Sequence, residues 1–164
     1  MAAIRLLIVD ACVLIDFVKA DPAILTLVSC HVGDVHVATP VFEEVRDIDA
    51  TMVTSLGIKL YEPSLELAAV AAEKRGRLSF QDRLCLAIAR IERWTCVSND
   101  RQLRAACEEA TVPVLWGFQV LALLVDARAL TASDARMIAT NIAATNKRIG
   151  PEVLARFLAK LRAK

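Results

Sequence analysis

Short apolar runs alternate with amphipathic stretches from Ile4 to Trp116, and this rhythm restricts the fold more than any other property of the chain. The segment Ile4–Val9 (IRLLIV) is rich in branched residues and is stopped by Asp10. That is the pattern of a strand buried on both faces of a parallel sheet. Further strands are expected at Val35–Thr39, Ile58–Tyr61, Trp94–Ser98 and Val112–Trp116. Between them, apolar residues at helical spacing predict helices over Ala11–Val18, Asp21–Cys30, Val41–Asp47, Leu65–Lys74, Ser79–Arg93 and Arg101–Ala110. In the fifth of these Phe80, Leu84, Ala87, Ile88 and Ile91 are expected to face inward. The predicted class is α/β, a three-layer α/β/α sandwich around a central, mostly parallel sheet.

The remainder, residues 117–164, carries no strand signal and reads as extra C-terminal helices. Three helical pieces are punctuated by Thr131–Asp134 and by Gly150-Pro151. The chain thus divides into a catalytic-type unit at 1–116 and a helical extension at 117–164, packed on the same core or at a dimer interface. Its 164 residues suit one compact unit. The 56% hydrophobic content exceeds what such a unit needs. Leu121, Leu123, Leu124, Val125, Val153, Leu154, Phe157, Leu158 and Leu161 supply the surplus, and self-association as a homodimer is the expected outlet.

No apolar run reaches the roughly 18–20 residues of a membrane span. Asp10 and Asp16 interrupt any secretory leader, so a cytoplasmic location is expected. Lys and Arg exceed Asp and Glu by 20 to 19, a net charge of +1, which does not by itself announce a polyanionic partner. The five cysteines are odd in number and form no CxxC pair. They read as buried, reduced thiols, not as a disulfide framework or a zinc site.

Ligands of an open α/β sheet bind beyond the carboxyl ends of its strands. Asp10 and Asp100 fall there, and Glu44 and Asp82 fall near the starts of helices that follow loops. Each has an ordinary explanation: a helix N-cap for Asp10, a near capping box with Ser79 for Asp82, dipole complementarity for Asp100, a solvated face for Glu44. Together, four carboxylates at one sheet edge repel unless a cation joins them. An oxygen-only set suits Mg²⁺ or Mn²⁺; His31 and His36 fall elsewhere, which disfavours zinc. Carboxylate-held dications in turn suit displacement at phosphorus.

The segments LLIVDACVLIDF at 6–17, TPVFEEV at 39–45, LSFQDRLCLAIA at 78–89 and CVSNDRQLR at 96–104 resemble the four ordered motifs of PIN-domain ribonucleases, a family that includes the VapC toxins. The resemblance covers roughly residues 4–116. It implies that Asp10, Glu44, Asp82 and Asp100 form an acidic pocket for one or two divalent cations. Ser98 stands where that family has a small hydroxyl residue that steadies the site, with Asn99 assisting. Glu43 and Glu44 project about 100° apart on a helix, so one of them faces the pocket, and Glu44 is the choice. Arg75, Arg77, Arg83, Arg101 and Arg104 flank two of the motifs and are candidates for a phosphate-gripping rim. The C-terminal stretch resembles an extension found in one subgroup of the family, and no catalytic residue is carried onto it.

The expected activity is metal-dependent hydrolysis of RNA phosphodiesters, as the toxin of a type II toxin–antitoxin pair whose antitoxin blocks the acidic groove with a basic side chain. A PIN-like binding protein, its carboxylates serving only as caps, is the alternative. A nucleotide-binding α/β domain is a third and weaker reading, because no Gly-rich loop follows the first strand.

Overall fold

The structure, a computed structural model, describes residues 5–74 and 76–163. Ile4, at the start of the expected first strand, and Arg75 of the expected rim lie outside them.

Branched residues at alternate positions build the sheet. β1 (Arg5–Val9), β2 (Gly33–Ala38), β3 (Lys59–Tyr61), β4 (Thr95–Val97) and β5 (Val114–Leu115) form one five-stranded sheet in the order β3-β2-β1-β4-β5, every pair parallel. Leu7 and Ile8 of β1 are fully buried, as a central strand covered on both faces requires. Gly33 pairs with Arg5 across β1 and β2, and a Cβ there would lie 2.2 Å from the Arg5 carbonyl oxygen. Glycine is the residue that lets β2 start so close to its neighbour.

The connecting helices are α1 (Ala11–Ala20), α2 (Ala23–His31), α3 (Thr39–Phe42), α4 (Ala50–Ser55), α5 (Leu65–Ala72), α6 (Phe80–Glu92) and α7 (Arg101–Glu109). The chain steps one way across the sheet from β1 to β3 and crosses back from β3 to β5. Right-handed crossovers therefore place α1–α4 on one face and α5–α7 on the other. This is the three-layer α/β/α arrangement expected from the alternating rhythm. β1 and β4 adjoin where the direction of winding reverses, and the crevice beyond their carboxyl ends is the topological switch point.

Several local expectations are corrected. The helix predicted over Val41–Asp47 stops at Phe42, where the Glu44 and Val45 amides bond three residues back. Asp49 then caps a separate helix, α4, by accepting from the Met52 amide at 2.8 Å. Val45 and Ile48 are buried all the same, so their apolar spacing reports burial in a turn, not helical period. Ile91, expected inward, is 59% exposed within the last turn of α6, two residues before the left-handed cap Arg93. β3, β4 and β5 are shorter than expected because only their central residues pair; β2 instead begins earlier, at Gly33, and ends at Ala38.

The C-terminal segment forms α8 (Gly117–Asp126), α9 (Ala132–Thr145) and α10 (Pro151–Arg162). α8 packs against α2, α9 against α1, and α10 against α9. Phe118, Leu121, Leu124, Ile138, Ile142 and Phe157 join the same buried cluster as Leu7, Ile8 and Val97. Much of the apolar surplus read as an interface is therefore spent inside the fold. The large apolar residues left exposed are mostly elsewhere, among them Leu65, Val70 and Ile91 of α5 and α6. All five cysteines are free; Cys85, Cys96 and Cys107 are buried as expected, whereas Cys12 is half-buried and Cys30 exposed. Among the described residues no helix is long and apolar enough to cross a membrane.

Candidate active site

β1 delivers Asp10 to the switch point as the N-cap of α1. Its Oδ1 accepts the Val13 amide at 2.8 Å, and its own amide donates to the Val97 carbonyl at 3.1 Å. Its Oδ2 accepts from the Ser98 hydroxyl. Ser98 Oγ in turn accepts the Asp100 amide at 2.9 Å, and Asp100 caps α7 by accepting the Leu103 amide at 2.8 Å. Capping thus occupies one oxygen of each carboxylate, and the ordinary explanation and a ligand role do not compete. Asp82 stands in the first turn of α6, where its amide donates to Ser79 Oγ at 3.1 Å. Glu44 follows the tight turn after α3.

These four carboxylates line one cavity of about 230 Å³. Glu43 is exposed and is not on its wall. Asp10 is 2% exposed and Ser98 fully buried. Burial above all pushes the Asp10 carboxyl up to about 7, against the bonds from Ser98 and Val13, and the charges of Asp82 and Asp100 add to the rise. Ionisation of Asp10 is thus opposed mainly by burial, and the repulsion inferred from the sequence adds the smaller part. Two thiols also face the cavity; burial first, and the charge of Asp10 second, push Cys12 up to about 11 and Cys85 well above the usual thiol range. Both stay protonated at neutral pH, which leaves oxygen as the ligating element and suits a hard dication. Neither histidine is on the wall; His36 lies against Trp94 with ring centroids 4.3 Å apart. As the side chains stand, no three acidic, imidazole or thiol groups among the described residues are placed to hold a metal ion. The donors fit Mg²⁺ or Mn²⁺ by chemistry, and gripping one requires them to close inward.

The remaining expected residues are placed differently. Asn99 is not on the cavity wall: its Nδ2 donates to Asp16 Oδ2 at 3.0 Å and its Oδ1 accepts the Gly117 amide at 2.9 Å. Its side chain ties the end of β4 to α1 and α8 and is engaged away from the four carboxylates. Arg83 donates through Nε to the Ala71 carbonyl at 2.6 Å and through a terminal nitrogen to the Leu78 carbonyl at 2.5 Å. Those bonds hold α5 to the approach of α6, beside a separate groove. Arg104 is buried, its guanidinium 3.5 Å above the Trp116 ring. Arg77 and Arg101 are exposed and off the cavity wall.

Sequence reasoning passed over one residue of the cavity wall, Arg148, and two that anchor its loop, Asp16 and Asn146. Asp16, 7% exposed, accepts at Oδ2 from Asn99 and also from Asn146 Nδ2 at 2.9 Å. A carboxylate among the inward positions Val13, Leu14 and Phe17 of α1 was a readable signal for it. Asn146 Oδ1 accepts the Arg148 amide at 3.0 Å, and the Arg148 guanidinium lies on the acidic cavity wall, 3.4 Å from Asp100 Oδ2 and 3.6 Å from Cys12 Sγ. Nothing local to residues 146–148 announces this.

No protein-family model matches the chain, and comparison with curated proteins and with solved structures gives no match either.

Proposed function

We infer that the chain is a PIN-type ribonuclease that depends on a divalent metal and hydrolyses RNA phosphodiester bonds. The observation that carries the reading is the meeting of Asp10, Glu44, Asp82 and Asp100, from four separated segments, in one cavity at the switch point of a parallel sheet. Asp10, Asp82 and Asp100 would hold Mg²⁺ or Mn²⁺. When bound, the ion lowers the pKa of attacking water and neutralises charge on the leaving oxygen. The chain's own residues do the rest. Glu44 orients the water and accepts its proton as the water oxygen bonds to phosphorus. The P–O bond to the leaving oxygen breaks, and that oxygen takes up a proton. Ser98 fixes the Asp10 carboxylate so that its cap on α1 survives closure of the site.

A type II toxin, blocked by an antitoxin that inserts a basic side chain among the carboxylates, is the biological setting this chemistry suits, in the cytoplasm and as a homodimer. A second reading, a PIN-like interaction protein without catalysis, is favoured by two observations: Asp10 and Asp100 already serve as caps, and Arg148 already faces Asp100. Metal titration decides between them. With Mg²⁺ or Mn²⁺ the intact chain is expected to gain several degrees in Tm and to cleave RNA, and both effects are expected to vanish in Asp10→Asn and Asp100→Asn. No Tm shift and no cleavage in the unaltered chain would leave the interaction reading.

A further inference from the structure

Of the rim arginines that lie among the described residues, Arg83 and Arg104 are engaged elsewhere, and Arg77 and Arg101 are off the cavity wall. Among the described residues the basic side chain on that wall is Arg148, contributed by the loop between α9 and α10. We propose that Arg148, carried to the acidic cavity by the C-terminal helices, is the subsite that receives a phosphate of the RNA substrate. The proposal rests on the ribonuclease reading and adds to it the residue that admits a polyanion to a cavity walled by four carboxylates.

Three observations support it. First, the backbone is fixed while the head is loose. The Arg148 amide is held by Asn146, Asn146 by buried Asp16, and Asp16 also by Asn99 from the loop after β4. The chain of bonds therefore runs from the loop that presents Asp100 to the loop that presents Arg148. The Arg148 side chain itself is 67% exposed. Second, its ion pair with Asp100 is weak. A contact of 3.4 Å at an exposed side chain contributes little and is readily exchanged. A plug that kept ligands out would need a short, buried pair. Third, guanidinium binds phosphate through two parallel hydrogen bonds, a geometry that a carboxylate-lined cavity cannot itself offer to an anion.

The test is binding of fluorescein-labelled, single-stranded RNA of mixed sequence, followed by anisotropy across a salt series with Mg²⁺ present. A Glu44→Gln background slows turnover and leaves Asp10, Asp82 and Asp100 in place. Adding Arg148→Ala is expected to weaken binding about tenfold and to make the plot of log Kd against log salt shallower by about 0.7, the loss of one phosphate contact on a single strand. Adding Arg148→Lys instead is expected to restore most of the slope. In the otherwise unaltered chain, Arg148→Ala is expected to raise KM with kcat nearly unchanged, and to leave the Mg²⁺-induced Tm shift intact. Equal affinity and slope with and without Arg148 would overturn the proposal and leave the ribonuclease reading standing. Tighter binding or faster turnover in Arg148→Ala would overturn it in favour of a plug. An unaltered chain with neither a metal-induced shift nor RNA binding would overturn both readings.

Discussion

Asp10 carries the largest electrostatic conflict in the site, and its consequence is measurable without substrate. In the folded chain its carboxyl holds a proton up to about pH 7, whereas an unperturbed Asp holds one only to 3.8. Between those values the native state binds more protons at Asp10 than the unfolded state, so the contribution of Asp10 to stability is most favourable below about pH 4 and falls as pH rises to about 7. The shift corresponds to a cost on the order of 4 kcal/mol once Asp10 is ionised. Asp10→Asn removes the charge and keeps an acceptor for Val13, while its new amide N–H donates to Ser98 Oγ in place of the bond that Ser98 made. In EDTA at pH 8 this variant is expected to be more stable than the unaltered chain by roughly 2 kcal/mol, the difference closing towards pH 4. Urea titrations over that range check it, and a constant difference would place the conflict elsewhere. The positions of Asp10 and Asp100 were legible from the sequence because a carboxylate directly after a buried strand, or within three residues of its end, has few places to go. Asp16 carries an equally local signal, a charge within the apolar sequence VLIDFV, but that signal does not say which distant groups satisfy it.

At the scale of elements, the strand–helix alternation was readable because each strand is a short branched run and each helix an apolar stripe. The reading failed where chain direction is set by a single cap. Asp49 restarts the backbone as α4, and the apolar positions Val45 and Ile48 could not reveal the break because they are buried in either conformation. The link between α1 and the α9–α10 loop was illegible for another reason: Asp16 and Asn146 are far apart in sequence, and no period connects them. That link has a predicted energetic signature. Asp16→Ala leaves the Asn99 and Asn146 amides without their acceptor and is expected to cost about 1–3 kcal/mol. Limited proteolysis of the variant is expected to cut first within residues 146–150, where the loop has lost its anchor; unchanged stability and cleavage pattern would show the link to be dispensable.

For the molecule as a whole, the sequence divides at 116 but the core does not. The extension buries Phe118, Leu121, Leu124, Ile138, Ile142 and Phe157 in the cluster that contains the sheet. At about 1.5–3 kcal/mol for each large apolar side chain, these six match the entire net stability of an ordinary domain, about 5–15 kcal/mol. A chain ending at residue 116 is therefore expected to show no sharp urea transition, whereas the intact chain unfolds cooperatively; circular dichroism distinguishes the outcomes, and a cooperative transition in the short chain would separate the two segments after all. The sequence offered both possibilities for 117–164, the same core or an interface between copies, and composition could not choose because apolar area looks alike in either place.

The hydrogen bond from Asn146 to Asp16 spans 130 positions, and its length has a consequence in time. Polypeptides are assembled from the amino end at about 5–20 residues per second. A ribosome therefore releases Asp10, Glu44, Asp82 and Asp100 seconds before it releases Arg148. During that interval a growing chain owns every acidic group of the cavity but not the cation that crosses it. On the ribonuclease reading, the chain would thus be synthesised, beside the cell's largest store of RNA, in a form that grips its substrate poorly until residue 148 has emerged.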